Sequence, residues 1–367
     1  MPLHTSALCS IENEAELPSP ALLLFSGRIE ANVGHMLQIA GSPARLRPHV
    51  KTHKLGPLVR RQVDRGIVKF KCSTIAEAEM VAEAGGTDIL LAYPCVGPNT
   101  VRLCALASAF PHVRFGAIAD ALDPVRALEA AAVGKGLTLD VYVDIDCGMH
   151  RTGIPAGDGA KELFHAIQET SSLRAAGLHA YDGHVVESDP SLRRSQCENA
   201  FAPVQALQRE LGASVLIAGG SPTFAIHAAH ADRELSPGTT VLWDFGYAGK
   251  FPDLPFEPAA VLLTRVVSKP APNRLCLDLG HKAVASESPP PRVQLLEIPD
   301  ALAVLHSEEH LVIETAHADA FPIGAALHGI PRHVCPTVAL HSEAWWIEGG
   351  IARERWPILA RARCLSL

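Results

Sequence analysis

No apolar run in this chain reaches the roughly 18–20 residues that a membrane-crossing helix needs. The longest, such as Asp88–Tyr93, are only strand-sized, so no membrane span is expected. Met1–Glu16 carries acids and lacks a basic stretch followed by an apolar core. That pattern is not a signal peptide. Positive charge is not in excess. The net charge is −7 and the pI near 6.2, which leaves no electrostatic footprint for nucleic acid. The nine cysteines form no CxxC pair and no regular spacing. An odd, scattered set argues against a disulfide framework and for reduced thiols in a cytoplasmic protein. Most of these cysteines read as small buried apolar residues. There is no internal repeat and no GxGxxG after the first strand candidate, which weakens the case for a doubly wound dinucleotide fold.

What is present is a chain of 367 residues, 48% of them apolar. That is long enough for two domains with sizeable cores. From Ser19 to about Tyr247, helical patterns alternate with short apolar strands. The strand candidates are Leu46–Lys51, Ile67–Cys72, Asp88–Tyr93, Val113–Ala119, Leu137–Asp146, Arg174–Tyr181, Ser214–Gly219 and Thr240–Phe245. Eight strand–helix units of this kind read as an α/β fold, a (β/α)8 TIM barrel. Thr74 and Glu77 fit a capping box opening a helix over Ile75–Ala84, with Glu77, Glu79 and Glu83 expected to face solvent. After about Gly249 the pattern changes to strands with Pro- and Gly-rich connections. These are Ala259–Ser268, Arg274–Leu279, Ala301–Leu305, Leu311–Glu314, Val338–His341 and Ala344–Glu348. The expected division is a segment 1–18 packing on the β domain, a barrel over 19–248, and a C-terminal β domain over 249–367.

The densest chemistry lies in Arg47-Pro48-His49-Val50-Lys51-Thr52-His53-Lys54. Pro48 holds Arg47 extended and stops the preceding helix. A cluster of cations at the end of a barrel strand lies where such folds keep their chemistry. A lysine among cations has its ammonium form destabilised, which suits a Schiff-base lysine. A solvated charge run is the plainer reading of such a cluster.

This run resembles the lysine segment of the D-threonine aldolase and eukaryotic-type D-serine dehydratase family. These are fold-type III pyridoxal-phosphate enzymes with an alanine racemase-like N-terminal barrel. The likeness implies that Lys51, not Lys54, carries the cofactor, with His49 beside it. It extends from about Pro18 to the C-terminus. Asp144–Gly153 closes the fifth strand, and its glycines permit a turn that brings Arg151 over the barrel mouth. The resemblance implies that Arg151 faces the cofactor's phenolic oxygen. Gly177–His184 closes the sixth. Tyr181 resembles a cofactor contact, while a buried tyrosine bonded to a backbone carbonyl is an equal reading. His53, His179 and His184 all stay open as the base. After the seventh strand, Gly219, Gly220, Ser221 and Thr223 resemble the family's phosphate segment. Glycines let a backbone approach an anion, and a helix start over Pro222–His230 would add its positive end.

Three further segments follow. Glu234–Thr239 resembles the family's Glu-x-x-Pro-Gly turn, leading into the eighth strand, where Trp243 could be a core plug. Asp278–Ala283 resembles an Asp-x-Gly-x-Lys-Ala segment that would bring Lys282 to the barrel mouth. A solvated lysine on a β-turn is the alternative. His333-Val334-Cys335 places an imidazole and a thiolate two residues apart, on one face if the segment is extended. The pair resembles the family's His-x-Cys or His-x-Asp metal ligands, with His333 also counted as catalytic. Cysteine suits zinc, whereas aspartate would suit manganese or magnesium. The implied activity is metal-assisted lyase chemistry on a D-3-hydroxy amino acid. D-threonine cleavage to glycine and acetaldehyde is the first reading, dehydration to a 2-oxo acid and ammonia the second, racemisation the third. A homodimer is expected.

Overall fold

The computed structural model describes residues 10–366. They form two compact units. One holds residues 36–238 and 362–366, the other residues 10–35 and 239–361. The boundaries therefore differ from 19–248 and 249–367. The first strand, β1 (Ala21–Phe25), belongs to the second unit, where it pairs with strands from the C-terminal part of the chain.

The first unit is a parallel α/β ring. It contains β2 (Lys69–Cys72), β3 (Asp88–Leu91), β4 (Arg114–Ala119), β5 (Leu139–Asp146), the two-residue β6 (Ile154–Pro155), β7 (Leu173–Ala180), β8 (Leu216–Ala218) and β9 (Arg233–Leu235). Seven of them run in the order β2-β3-β4-β5-β7-β8-β9, and β6 pairs only with β5. Segment 46–49 closes the ring. Leu46 bridges Leu235 of β9, and His49 bridges Lys71 of β2. The Arg47 N–H donates to Leu235 O at 2.8 Å, and the Lys71 N–H to Pro48 O at 2.9 Å.

Two expected strands are corrected here. Leu46–Lys51 is not a continuous strand, because Pro48 has no N–H to extend a ladder. The chain then winds into a 3-10 turn over Val50–Thr52. Thr240–Phe245 is not a strand either. It is a 3-10 turn, Thr239–Val241, followed by the short helix Phe245–Lys250, which Asp244 caps by accepting the Tyr247 N–H at 2.9 Å. The eighth position of the ring is β9, which overlaps the start of the segment read as a turn.

Inside the ring, residues two apart on a strand share a face. The layer at the strand starts is charged. Arg47, only 1% exposed, bridges Asp88 at 2.7 Å and Glu234 at 2.8 Å. Lys69 also pairs with Glu234, and Arg114 and Arg174 pair with Asp140. Above it Leu90, Ile118, Tyr142 and Ile217 form an apolar cluster. Two residues beyond Lys69 comes Lys71, and two beyond Tyr142 comes Asp144. A β-bulge then changes the parity of β7: Val141 pairs Ala175, but Tyr142 pairs Gly177, leaving Ala176 extra. Gly177 (φ +151) permits it, since a Cβ there would run into the Val215 carbonyl. The bulge re-aims the following residues, so His179 comes level with Asp144.

The helix Ile75–Glu83 forms as its cap predicts, with Thr74 Oγ1 accepting the Glu77 N–H at 3.1 Å. Its acids do not all face solvent. Glu77 and Glu79 are buried, and only Glu83 is exposed. Glu77 pairs with Lys54 and accepts the Ser73 N–H at 2.6 Å. Glu79 accepts the Ser366 N–H at 3.0 Å. Specific partners outweigh the surface preference of a carboxylate.

The second unit is a nine-stranded sheet. After β1 come β10 (Ala260–Ala271), β11 (Arg274–Leu277), β12 (Val293–Leu295), β13 (Leu302–His306), β14 (Leu311–Glu314), β15 (Ala326–Pro331), β16 (Glu343–Glu348) and β17 (Ile351–Pro357). The order is β13-β14-β11-β10-β1-β16-β17, and β15 pairs with both β10 and β12. Residues 10–18 lie along it. Asn13 exchanges two hydrogen bonds with Ala352, at 3.2 and 3.0 Å, and Ile11 and Leu17 pack with Leu23, Leu263 and Ile347. The expected strand Val338–His341 is instead the end of a helix, Val334–Leu340. No helix among the described residues is long and apolar enough to cross a membrane.

Candidate active site

In the barrel unit, Lys51 sits in the 3-10 turn directly after the closing segment. His49 caps that turn: its Nδ1 accepts the Lys51 backbone N–H at 3.3 Å. His49 is buried, and burial, then Lys51, Lys71, Lys54 and His179, press its pKa well below the usual histidine value. It is therefore a neutral acceptor. His53 has the same character. It is buried, its Nδ1 accepts the Leu55 N–H at 3.1 Å, and burial and Lys54 hold its pKa down to about 3. That engagement makes His53 a structural residue of the turn. Lys54 takes a positive φ of 54° and commits its ammonium to Glu77. The two lysines thus have different environments, although only two residues separate them.

Tyr181, after β7, is the centre of the site. Lys51 Nζ and Lys71 Nζ each lie 5.8 Å from its ring centroid, and Arg151 Cζ lies 5.0 Å from it. Two amines and a guanidinium around one aromatic ring suit a planar anionic group. Arg151 is placed by the turn after β5. Asp146 Oδ1 accepts the N–H groups of Gly148 and His150 at 2.9 and 3.0 Å, and Gly153 has φ +103. Asp144 has two partners. Its Oδ1 meets His179 Nδ1 at 2.7 Å, and its Oδ2 accepts from Thr152 Oγ1 at 2.9 Å.

Gly219 follows β8 with φ +80, and a Cβ there would meet the His227 ring. A Cβ on Gly220 would lie 3.0 Å from Tyr181 Cε2. The two glycines let the turn pack closely on the His227 and Tyr181 rings and leave bare backbone, which an anion cradle requires. Ser221 Oγ accepts the Gly238 N–H at 3.2 Å. Thr223 is fully buried and donates to Asp182 Oδ1 at 2.9 Å, so its hydroxyl supports the turn from below. The helix that follows is Phe224–Ala228, shorter than the Pro222–His230 expected. Its dipole adds correspondingly little.

Two sets of buried groups escaped the sequence reading. One is Lys71, whose Nζ is 3.4 Å from His179 Nε2. Its signal was the pair Lys69-x-Lys71, two lysines on the inward face of one strand. The other is Asp182, Cys197 and His227, whose ligand atoms lie within 4.8 Å of one another, the only such trio among the described residues. Asp182 Oδ2 meets His227 Nε2 at 2.8 Å, and Arg233 Nη1 faces His227 Nδ1 at 2.7 Å. These groups satisfy each other beneath the glycine turn. His184 is exposed, with its ring below Gly148.

In the β unit, His333 is not in an extended segment. It is the N-cap of the helix Val334–Leu340, and Cys335 lies in the first turn. Pro336 is tolerated there because a first-turn N–H has no partner in the helix. Asp244 Oδ2 accepts the Val334 N–H at 3.0 Å and fixes that turn. His333 still meets Cys335. Burial lowers its pKa, but the Cys335 side chain, Glu287 and Asp244 outweigh this and raise it to about 9. His333 Nδ1 lies 2.6 Å from Glu287 Oε1. A carboxylate on one ring nitrogen, with a thiol near the imidazole, is the usual surrounding of a metal-binding histidine. Lys282 is 61% exposed and pairs with Glu308 and Glu309, which favours the solvated reading. Trp243 is buried against Tyr247 and Phe256, with ring centroids 5.1 and 5.3 Å away. It is a core residue.

The chain is similar to known proteins along most of its length. The family described as alanine racemase, N-terminal domain, matches residues 26–243, and the putative serine dehydratase domain matches residues 259–347. A D-threonine aldolase from Arthrobacter sp. is 30% identical over 95% of this chain and 93% of its own length. A 3-hydroxy-D-aspartate aldolase from Paracoccus denitrificans is 27% identical over 96% and 94%. The crystal structure of D-threonine aldolase from Filomicrobium marinum superposes with TM-score 0.87 at 30% identity, covering 95% of this chain and 97% of that one.

Proposed function

The chain belongs to the fold-type III pyridoxal-phosphate enzymes with an alanine racemase N-terminal domain and is a lyase of hydroxy amino acids, and from that premise we propose that it is a metal-dependent aldolase cleaving D-threonine to glycine and acetaldehyde. The observation that carries the reading is the meeting of His333 with Cys335 while Glu287 holds His333 Nδ1. Moving an α-proton alone gives a metal little to do. A substrate β-hydroxyl gives it a clear task.

When bound, pyridoxal phosphate supplies an electron sink for the broken Cα–Cβ bond, and a divalent metal supplies positive charge for the β-oxygen. Lys51 offers the amine that holds the cofactor, and His49 fixes the turn that carries it. Tyr181 offers a ring face, Arg151 a cation for the cofactor's phenolic oxygen. The backbone of Gly219 and Gly220 and the Ser221 hydroxyl take the phosphate, with Thr223 bracing the turn. His333 and Cys335 hold the metal, and a thiolate ligand favours zinc over manganese or magnesium. His179, buried and bonded to Asp144, presents Nε2 inward and can hold or pass a proton. His184 cannot share that role, because it lies outside this buried set.

A second reading, dehydration to a 2-oxo acid and ammonia, draws on Cys335, since a thiolate ligand is the form associated with D-serine dehydratases. Racemisation would leave the metal pair without a task. Product analysis with D-threonine separates the three. The same reading carries a homodimer, which light scattering checks, in a cytoplasmic setting. The described cysteines are all free thiols.

A further inference from the structure

We propose that Lys71 is a positioning residue for the Lys51 amine: standing on the Asp144–His179 pair, it is a second amine whose charge weighs on the proton that Lys51 carries. This rests on reading Lys51 as the cofactor-bearing lysine, and its test does not depend on turnover.

The geometry comes first. Lys71 is 3% exposed and lies at the inward end of β2. Asp144 takes the His179 Nδ1–H, so His179 Nε2 presents a lone pair. Lys71 Nζ, 3.4 Å away, is the donor that faces it. An amine, an imidazole and a carboxylate therefore stand in line, and the line fixes where the amine points. Lys71 and Lys51 sit at the same 5.8 Å distance from the Tyr181 centroid.

The charges facing Lys71 come from five segments. His49 and Lys51 face it from the closing segment and its turn, Asp144 from β5, Arg151 from the following turn, His179 from β7 and Asp182 from the loop after it. Burial has the largest effect on Lys71 and lowers its pKa. Lys51 adds to this, Asp144 and Asp182 oppose it, and the balance is about 7. Burial also lowers the pKa of His49 and His179, so neither adds a competing charge above neutrality. Lys71 is buried and Lys51 half-buried, and two amines that feel each other's charge titrate as a coupled pair. Whichever is charged makes charging the other harder. Protonated Lys71 thus favours the free-amine form of Lys51, the form that attacks a carbonyl.

The test is a pH titration of the lysine 13Cε resonances in the cofactor-free protein, assigned by substitution. One lysine should lose its proton near neutrality, roughly 3 units below an ordinary lysine. Lys71→Met should remove that transition, Lys51→Met should move it up, and Asp144→Asn should move it down. In the cofactor-loaded protein, the pH midpoint of the visible absorbance should rise by roughly one unit in Lys71→Met and fall in Lys71→Arg, which keeps a permanent charge. The idea is overturned if every lysine titrates near its ordinary value, or if the Met and Arg variants share one midpoint. Either result would leave the lyase assignment untouched.

Discussion

The Lys54 ammonium is held by the buried carboxylate of Glu77, while Lys51, three residues earlier, stands over the Tyr181 ring. A lysine that neutralises a buried acid is not available as a nucleophile. Borohydride reduction of the cofactor-loaded protein, followed by peptide mapping, should place the pyridoxyl group on Lys51. Lys54→Met should keep the visible absorbance of the bound cofactor but lower stability by ~3 kcal/mol, because it strands Glu77. A label on Lys54 would reverse the assignment.

Arg47 ties the closing segment to two strands at the base of the barrel through Asp88 and Glu234. Arg47→Met should cost ~3–5 kcal/mol in urea unfolding, since it leaves two carboxylates short of a buried partner. Arg47→Lys should recover only part of this, because an ammonium cannot form the same planar fork. A near-neutral Arg47→Met would show that Lys69 alone satisfies Glu234.

The buried His53 sets a pH dependence. Its folded pKa, about 3, lies below the unfolded value near 6.5. Between these values the unfolded chain binds a proton that the folded chain refuses. The contribution is complete above about pH 6.5 and is lost as pH falls toward about 3, amounting to ~3 kcal/mol or more at full extent. His53→Asn keeps an acceptor for the Leu55 N–H and removes the titration. Unfolding free energies between about pH 7 and pH 4 should fall more steeply in the parent than in this variant. Parallel slopes would contradict the role given to His53.

These residues also show what can be read without a structure. The positions of Arg151, Tyr181 and Gly219 after strand ends are legible because strands can be counted, and barrel folds keep their chemistry at those ends. The count of eight survives although two members were misread. Segment 46–49 fills a position through isolated bridges, and β9 fills another with charged Arg233 and Glu234, which do not read as a strand. His179 is not legible, because its inward direction depends on the extra residue Ala176 in β7. Lys71 escapes for a related reason: in sequence, two lysines look like solvent-facing residues. The His333–Cys335 pair is legible as a pair, but the cause is a helix N-terminus and not an extended strand.

Chelation followed by dialysis should abolish turnover and leave the visible absorbance of the bound cofactor, because the proposed attachment is Lys51 and not the metal pair. Glu287→Gln should weaken metal affinity by roughly 10–100-fold through the lost carboxylate on His333 Nδ1. Full activity in a verified metal-free preparation would remove the metal from the account.

The most direct test is product analysis. The protein, loaded with pyridoxal phosphate and zinc or manganese, is incubated with D-threonine and with L-threonine, and the products are identified by chromatography. Glycine and acetaldehyde in equal amounts are expected from the D-isomer, with the L-isomer untouched. Formation of 2-oxobutyrate and ammonia would establish the dehydratase instead. Equal consumption of both isomers, or interconversion of the alanine isomers with no metal requirement, would contradict the account.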